Sequence, residues 1–228
     1  MKTSILLPAR NAEKTLERAV KSVLEQTHTN FELVCIVNDS SDDTEKILQD
    51  YASQDKRVVI VHSSAGLVPA LNKGLAVAKF NLIARQDADD FWYPDKLEKQ
   101  LDFLDKNTDI DICGTQIRLV DENFTPIKQE PLRPTKDLDI KAALLSGWNV
   151  IPHPGVIFKK RIMEKLGGYD DTFWMAEDYS LWLRAAQWYK FGIVDEILLD
   201  YTFKHNPNYS HKAPAFLCRV FRSFYGVG

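Results

Sequence analysis

The sequence predicts an α/β fold: a mostly parallel central sheet flanked by helices, followed by a mixed second half. Two observations carry that prediction. Short apolar runs alternate with stretches of helical periodicity across residues 1–95, as in strand–helix–strand units. The runs are also continuously apolar rather than alternating, as expected for strands covered on both faces.

The elements follow in order. Ser4 to Leu7 reads as a strand. Thr15 to Gln26 reads as a helix, because Leu16, Ala19, Val20, Val23 and Leu24 recur at helical spacing. Phe31 to Val37 is a second strand, closed by Asn38-Asp39-Ser40-Ser41-Asp42-Asp43. Asp42, with Glu45 three residues on, resembles a capping box opening the next helix. Val58 to Val61 is a third strand, Leu67 to Ala78 a helix, and Leu82 to Ala84 a fourth strand. Beyond it, Asp95 to Asn107 is expected to be helical, with Asp95 as its cap. Ile110 to Val120 reads as extended, Thr135 to Ser146 as helical and Val156 to Phe158 as a short strand. A turn at Leu166 to Tyr169, a helix from Ala176 to Tyr189 and an extended run from Ile193 to Phe203 complete the pattern.

Composition narrows the function. A chain of 228 residues, 45% hydrophobic and 27% charged, can bury a real core as one large domain or two fused halves. A net charge of −3 gives no basic field for nucleic acid. Met1-Lys2-Thr3 runs straight into a strand-like segment, so no signal peptide is expected. No apolar run approaches the roughly 20 residues of a membrane span. Cys35, Cys113 and Cys218 are scattered, which argues free thiols in a reducing compartment and against a zinc site. The expected location is cytoplasmic.

The chemistry concentrates at Asp87-Ala88-Asp89-Asp90, directly after the fourth strand. On extended backbone Asp87 and Asp89 would share a side, and two converging carboxylates repel unless a cation or proton sits between them. Oxygen-only ligands suit magnesium or manganese, with the phosphates of a substrate completing the shell. A solvated turn is the alternative reading. Asn11, Asp39 and Asp87/Asp89 all follow strand ends, where parallel sheets hold their ligands. The first strand–helix turn has neither Gly-x-Gly-x-x-Gly nor Gly-Lys-Ser/Thr, which disfavours a dinucleotide fingerprint and a P-loop.

Four stretches in order resemble family 2 glycosyltransferases of the GT-A fold, which have a Rossmann-like sheet. They are Ser4 to Asn11 with Ser22 to Thr27, Val37 to Thr44, Leu71-Asn72-Lys73-Gly74 leading to Asp87-Ala88-Asp89-Asp90, and Glu177-Asp178 with Leu181 and Arg184. The resemblance covers residues 3 to about 205. It implies a donor half at 1–95, an acceptor-side half at 96–210 and a tail at 211–228. It implies that Asp39 bonds a nucleotide base, most often uracil, with Pro8, Arg10 and Asn11 lining the base and ribose pocket. Asn72 falls in the approach to the metal motif. Asp87 would reach the ribose or the metal, and Asp89 would ligate the Mn2+ or Mg2+ bridging the diphosphate. Asp178 resembles the general base, assisted by Glu177. Read without the family, Glu177-Asp178 would be an acidic pair opening a helix.

His153, in Ile151-Pro152-His153-Pro154-Gly155, resembles a segment facing the donor, or else it is a packing residue. His205 falls where the family closes a lid over the diphosphate. Relatives carry arginine soon after the tyrosine there, whereas this chain has Thr202 and Phe203. The Gln-x-x-Arg-Trp motif of processive synthases is absent, so addition of a single sugar is expected. The expected partners are a UDP-sugar donor and a saccharide or lipid-linked acceptor. The tail, with Lys212, Arg219 and Arg222 among Phe216, Leu217, Val220, Phe221 and Phe224, suits either an anionic membrane surface or packing on the core or on a second copy. A nucleotidyltransferase and a catalytically inactive nucleotide-sugar-binding domain are the competing functions.

Overall fold

A computed structural model describes residues 1–127, 131–173 and 175–203. His205 and the tail therefore lie outside the described residues. The chain runs β1 (Thr3–Ala9), α1 (Leu16–Leu24), β2 (Phe31–Asn38), α2 (Thr44–Gln54), β3 (Val58–Ser63), α3 (Leu67–Val77) and β4 (Leu82–Arg85). It continues through β5 (Phe91–Trp92), α4 (Lys96–Lys106), β6 (Ile112–Val120) and α5 (Asp137–Leu145). A 3-10 turn (His153–Gly155), β7 (Ile157–Lys159), α6 (Arg161–Leu166), α7 (Glu177–Ala185) and β8 (Phe191–Thr202) complete it.

One eight-stranded sheet has the order β3-β2-β1-β4-β7-β6-β8-β5. The first four strands pair in parallel, as their continuous apolar runs predict. The second half is mixed. β7 lies antiparallel to both β4 and β6, β8 runs parallel to β6, and β5 is antiparallel to β8. Alternate side chains of β1 feed two cores. Ile5, Leu7 and Ala9 meet Leu16, Ala19 and Val20 of α1 and Leu97 and Leu101 of α4. Leu6 points the other way, to Ala70 and Leu71 of α3 and Leu181 and Trp182 of α7.

The order has a functional consequence. From β1 the chain steps outward to β2 and β3, then returns to lay β4 on the other side of β1. A reversal of that kind leaves a crevice beyond the carboxyl ends of β1 and β4, where open α/β sheets bind ligands. Pairing of β1 with β4 ends at Leu6–Arg85, and Gln86 N donates to Leu6 O at 3.0 Å. Pro8, with no N–H to give, falls two residues beyond that last pair, where no β4 acceptor remains.

Four local expectations are corrected. The strand before the acidic motif stops at Arg85 and residues 88–89 form a turn, so Asp87 and Asp89 are not alternate side chains of one strand. Asp90 N closes that turn on Asp87 O at 3.3 Å. The capping box at Asp42 does not form. Asp42 Oδ1 accepts Thr44 N at 3.0 Å, but Glu45 turns to His62 Nε2 at 2.9 Å. Asp95 sits at the start of α4 without a side-chain cap bond. Instead its carboxylate pairs with Lys99 at 2.7 Å, and Leu97 N donates to Gln26 Oε1 at 2.9 Å. The last helix ends at Ala185, short of Tyr189.

Candidate active site

Loops at the carboxyl ends of β1 and β2 lock to each other. Asn11 Oδ1 accepts Ser41 N at 2.9 Å, Ala12 N donates to Thr44 Oγ1 at 2.8 Å, and Glu13 N donates to Asp42 Oδ2 at 3.1 Å. Asn11 and Asp39 both take left-handed backbone, φ 47° and 52°, a conformation Asn and Asp tolerate better than most residues. Arg10, Asn11 and Asp39 are exposed beside these loops, while Pro8 is buried beneath them. The structure thus brings together the four residues expected to line a base and ribose pocket.

The acidic turn is built from below by Arg85. This last residue of β4 is 1% exposed, and its Nη2 donates to Asp87 Oδ1 at 2.6 Å. Asp87 and Asp89 are half-buried, whereas Asp90 is buried. Asp90 Oδ1 accepts Thr202 N at 2.7 Å, and Asp89 O accepts the Thr202 hydroxyl at 2.5 Å, so the end of β8 clasps the turn. Burial, then the charges of Asp87 and Asp89, push the Asp90 carboxyl well above the ordinary range. Three buried polar atoms gather here without a hydrogen-bond partner among the described residues: Arg85 Nε, Gln86 Oε1 and Asp90 Oδ2.

The second acidic pair opens α7. Its N-cap is Ala176, so neither carboxylate caps the helix. Asp178 Oδ2 accepts Asn149 Nδ2 at 2.9 Å and Oδ1 accepts Tyr179 N at 2.6 Å. Glu177 is 8% exposed, and burial followed by the charge of Asp178 raises it to about 7. Asp178 is raised too, chiefly by burial, with its two hydrogen bonds opposing. The negative charge of Asp87 reaches both Glu177 and Asp178, and Arg85 opposes it. Carboxylates some ninety positions apart in the chain therefore share one electrostatic site.

A buried His153–Tyr169 contact lies near both pairs. His153 Nε2 is 2.8 Å from the Tyr169 hydroxyl, and its ring packs on Tyr169 and Trp182 at 5.4 and 6.3 Å between centroids. Burial, and secondarily Arg85, push this imidazole well below its usual range, which keeps it neutral. Asn72 is committed to the same turn, accepting Tyr169 N and donating to Tyr169 O, both at 3.0 Å. His153 is buried in packing contacts, while half-buried Asn72 clasps the Tyr169 turn and lines a pocket with Val68, Pro69 and Arg184. Among the described residues no group of three or more His, Cys, Asp or Glu gathers as a metal cage. The half-buried oxygens of Asp87 and Asp89 suit a hard divalent ion, which keeps several ligands from water and substrate phosphate.

Sequence reasoning missed Arg85, Asn149 and Tyr169. Arg85 had a signal: a cation ending the run Leu82-Ile83-Ala84 needs a buried partner. Asn149 and Tyr169 had none, because their roles depend on loop packing.

Comparison with known proteins bears on the family and the fold. O-antigen biosynthesis glycosyltransferase WbnJ of Escherichia coli is 33% identical over 218 residues, spanning 93% of this chain and 84% of that protein. The structure of Staphylococcus aureus TarS 1-349 in complex with UDP-GlcNAc superposes with a TM-score of 0.76 at 19% identity. That match takes in 98% of this chain but only 65% of the TarS chain. The mannosyltransferase PcManGT of Pyrobaculum calidifontis, in complex with GDP-Man and Mn2+, superposes at 0.73 and 18% identity, covering 99% and 64% of the two chains. Residues 4–167 match glycosyl transferase family 2, and the chain belongs to that family.

Proposed function

We propose that this protein transfers one sugar, with inversion, from a nucleotide diphosphate donor to a hydroxyl of a glycan or lipid-linked saccharide. The donor is a UDP-sugar, and a divalent cation is required. The observation that carries this reading is that Asp87, at the sheet crevice, lies within electrostatic reach of Glu177 and Asp178 at the start of α7. A metal–diphosphate site and a proton acceptor are the two devices such a transfer needs.

Asp39, Arg10, Asn11 and Pro8 hold the base and ribose over the ends of β1 and β2. Asp87 and Asp89 would hold a divalent cation, which would supply neutralisation of the charge growing on the leaving phosphate. The anomeric carbon acquires oxocarbenium character as the phosphate leaves, as in glycoside hydrolysis. Asp178 takes the proton of the acceptor hydroxyl as the new bond forms on the opposite face. Its raised affinity for protons, with Asn149 fixing one oxygen, suits it to that task. Glu177 assists or contacts the acceptor. The displacement is single, so the linkage inverts and no covalent enzyme intermediate forms.

The names of WbnJ, for O-antigen, and of Bacillus subtilis TuaG, for teichuronic acid, support cell-surface polysaccharide synthesis as the setting. Among the described residues no helix is long and apolar enough to cross a membrane. TarS is seen with UDP-GlcNAc and PcManGT with GDP-Man; the resemblance of Asp39 to the family's base-binding position, most often occupied by uracil, supports the UDP reading. Product analysis tests the reaction. A nucleoside diphosphate released in step with sugar transfer supports it, whereas pyrophosphate would mean nucleotidyl transfer.

A further inference from the structure

We infer that Arg85 is a positioning residue, whose buried guanidinium fixes the Asp87 carboxylate for the donor's metal–diphosphate group. The inference rests on the function proposed above.

Arg85 ends a strand that lies between β1 and β7 in the sheet. Its side chain is wrapped completely, yet it is poorly satisfied. Nη1 donates to its neighbour's carbonyl, Gln86 O, Nη2 donates to Asp87, and Nε has no hydrogen-bond partner among the described residues. An arginine kept only for packing is a poor choice here. A buried ion pair rarely stabilises more than apolar side chains of the same volume would.

What the guanidinium does accomplish is geometric. Asp87 is 30% exposed at its side chain and lies two residues beyond the end of the strand, where Arg85 Nη2 holds its Oδ1 at 2.6 Å. A planar fork, itself anchored to the backbone at Gln86, sets the direction from which Asp87 is held. The same cation faces Asp90 in the turn, His153 in the 3-10 turn, Tyr169 before α7, and Glu177 and Asp178 on α7. It is a fixed positive charge among the acidic groups of both pairs. Partners that orient metal-binding carboxylates in this way influence metal affinity about 10- to 100-fold when removed.

The test is calorimetric binding of UDP with Mn2+, and of UMP without metal, to wild type, Arg85→Met and Arg85→Lys. Arg85→Met is expected to weaken UDP·Mn2+ binding at least about 10-fold while leaving UMP binding unchanged. Arg85→Lys, which keeps charge but loses the fork, is expected to fall between. Equal weakening of UMP and UDP·Mn2+ would make Arg85 a general structural residue and overturn the inference, as would wild-type UDP·Mn2+ affinity in Arg85→Met. If Arg85→Met does not fold, wild-type affinity in Arg85→Lys overturns it. A wild-type protein that binds neither nucleotide refutes the function itself, and the inference with it.

Discussion

Removing the charge of Glu177 should alter stability in a pH-dependent way. Glu177 is 8% exposed, and burial together with the neighbouring charge of Asp178 lifts it from an ordinary 4.5 to about 7. A carboxyl raised on folding binds its proton more tightly in the native state. Its contribution is therefore most favourable below pH 4.5 and is lost as pH rises through about 7. The full span corresponds to about 3 kcal/mol at roughly 1.4 kcal/mol per pH unit, and relaxation around the charge should leave about 1–2 kcal/mol. Glu177→Gln keeps the shape and cannot ionise. Urea unfolding in chelator should find it about 1–2 kcal/mol more stable than wild type at pH 8, with the difference vanishing near pH 4. Lys96, buried and lowered to about 7, tilts both curves oppositely but cancels in the difference. A gap that does not vary with pH, or a variant less stable at pH 8, would refute the reasoning.

Other substitutions isolate other links. Gly168 has φ 83°, and a Cβ there would meet Asn72 Oδ1 at 2.7 Å, whereas at Gly167, φ 76°, it would meet nothing within 4 Å. Gly168→Ala should cost about 2–3 kcal/mol, from backbone strain and the broken Asn72–Tyr169 clasp, against about 1 kcal/mol for Gly167→Ala. Equal losses in denaturant melts would show that the clasp contributes nothing. Asp178→Asn should bind UDP as wild type does while transfer falls about 100-fold or more, measured as nucleoside diphosphate release. Asp89→Ala should lose the metal-dependent part of UDP binding and keep the metal-independent part, read by calorimetry.

The parallel half of the fold was legible because its signals are local. Continuous apolar runs and the spacing of Leu16, Ala19, Val20 and Val23 need no partner to be read. β5, two residues long, depends on Asp200 and Leu199 arriving from β8, far along the chain. α6, six residues from Arg161 to Leu166, is too short to carry a periodic signal. At the site, residue types and order along the chain pointed to the acidic turn and to Glu177-Asp178. Orientation did not follow. Strand alternation failed at Asp87 because the backbone leaves the sheet at Arg85, and Asp95 lost its capping role to Gln26 because that amide arrives from the segment after α1, some seventy residues earlier in the chain.

A metal-dependent donor site at the crevice between β1 and β4 would make the protein's melting temperature respond to nucleotide, so it is melted with UDP, GDP and ADP, each with and without manganese. A selective ligand stabilises the native state by mass action, about 2.7 kcal/mol at one hundred times Kd. A rise with UDP that requires manganese, absent with GDP and ADP, is the predicted result. No response to any of the three at saturating ligand and metal would contradict it and return Asp87-Ala88-Asp89-Asp90 to the status of a solvated turn.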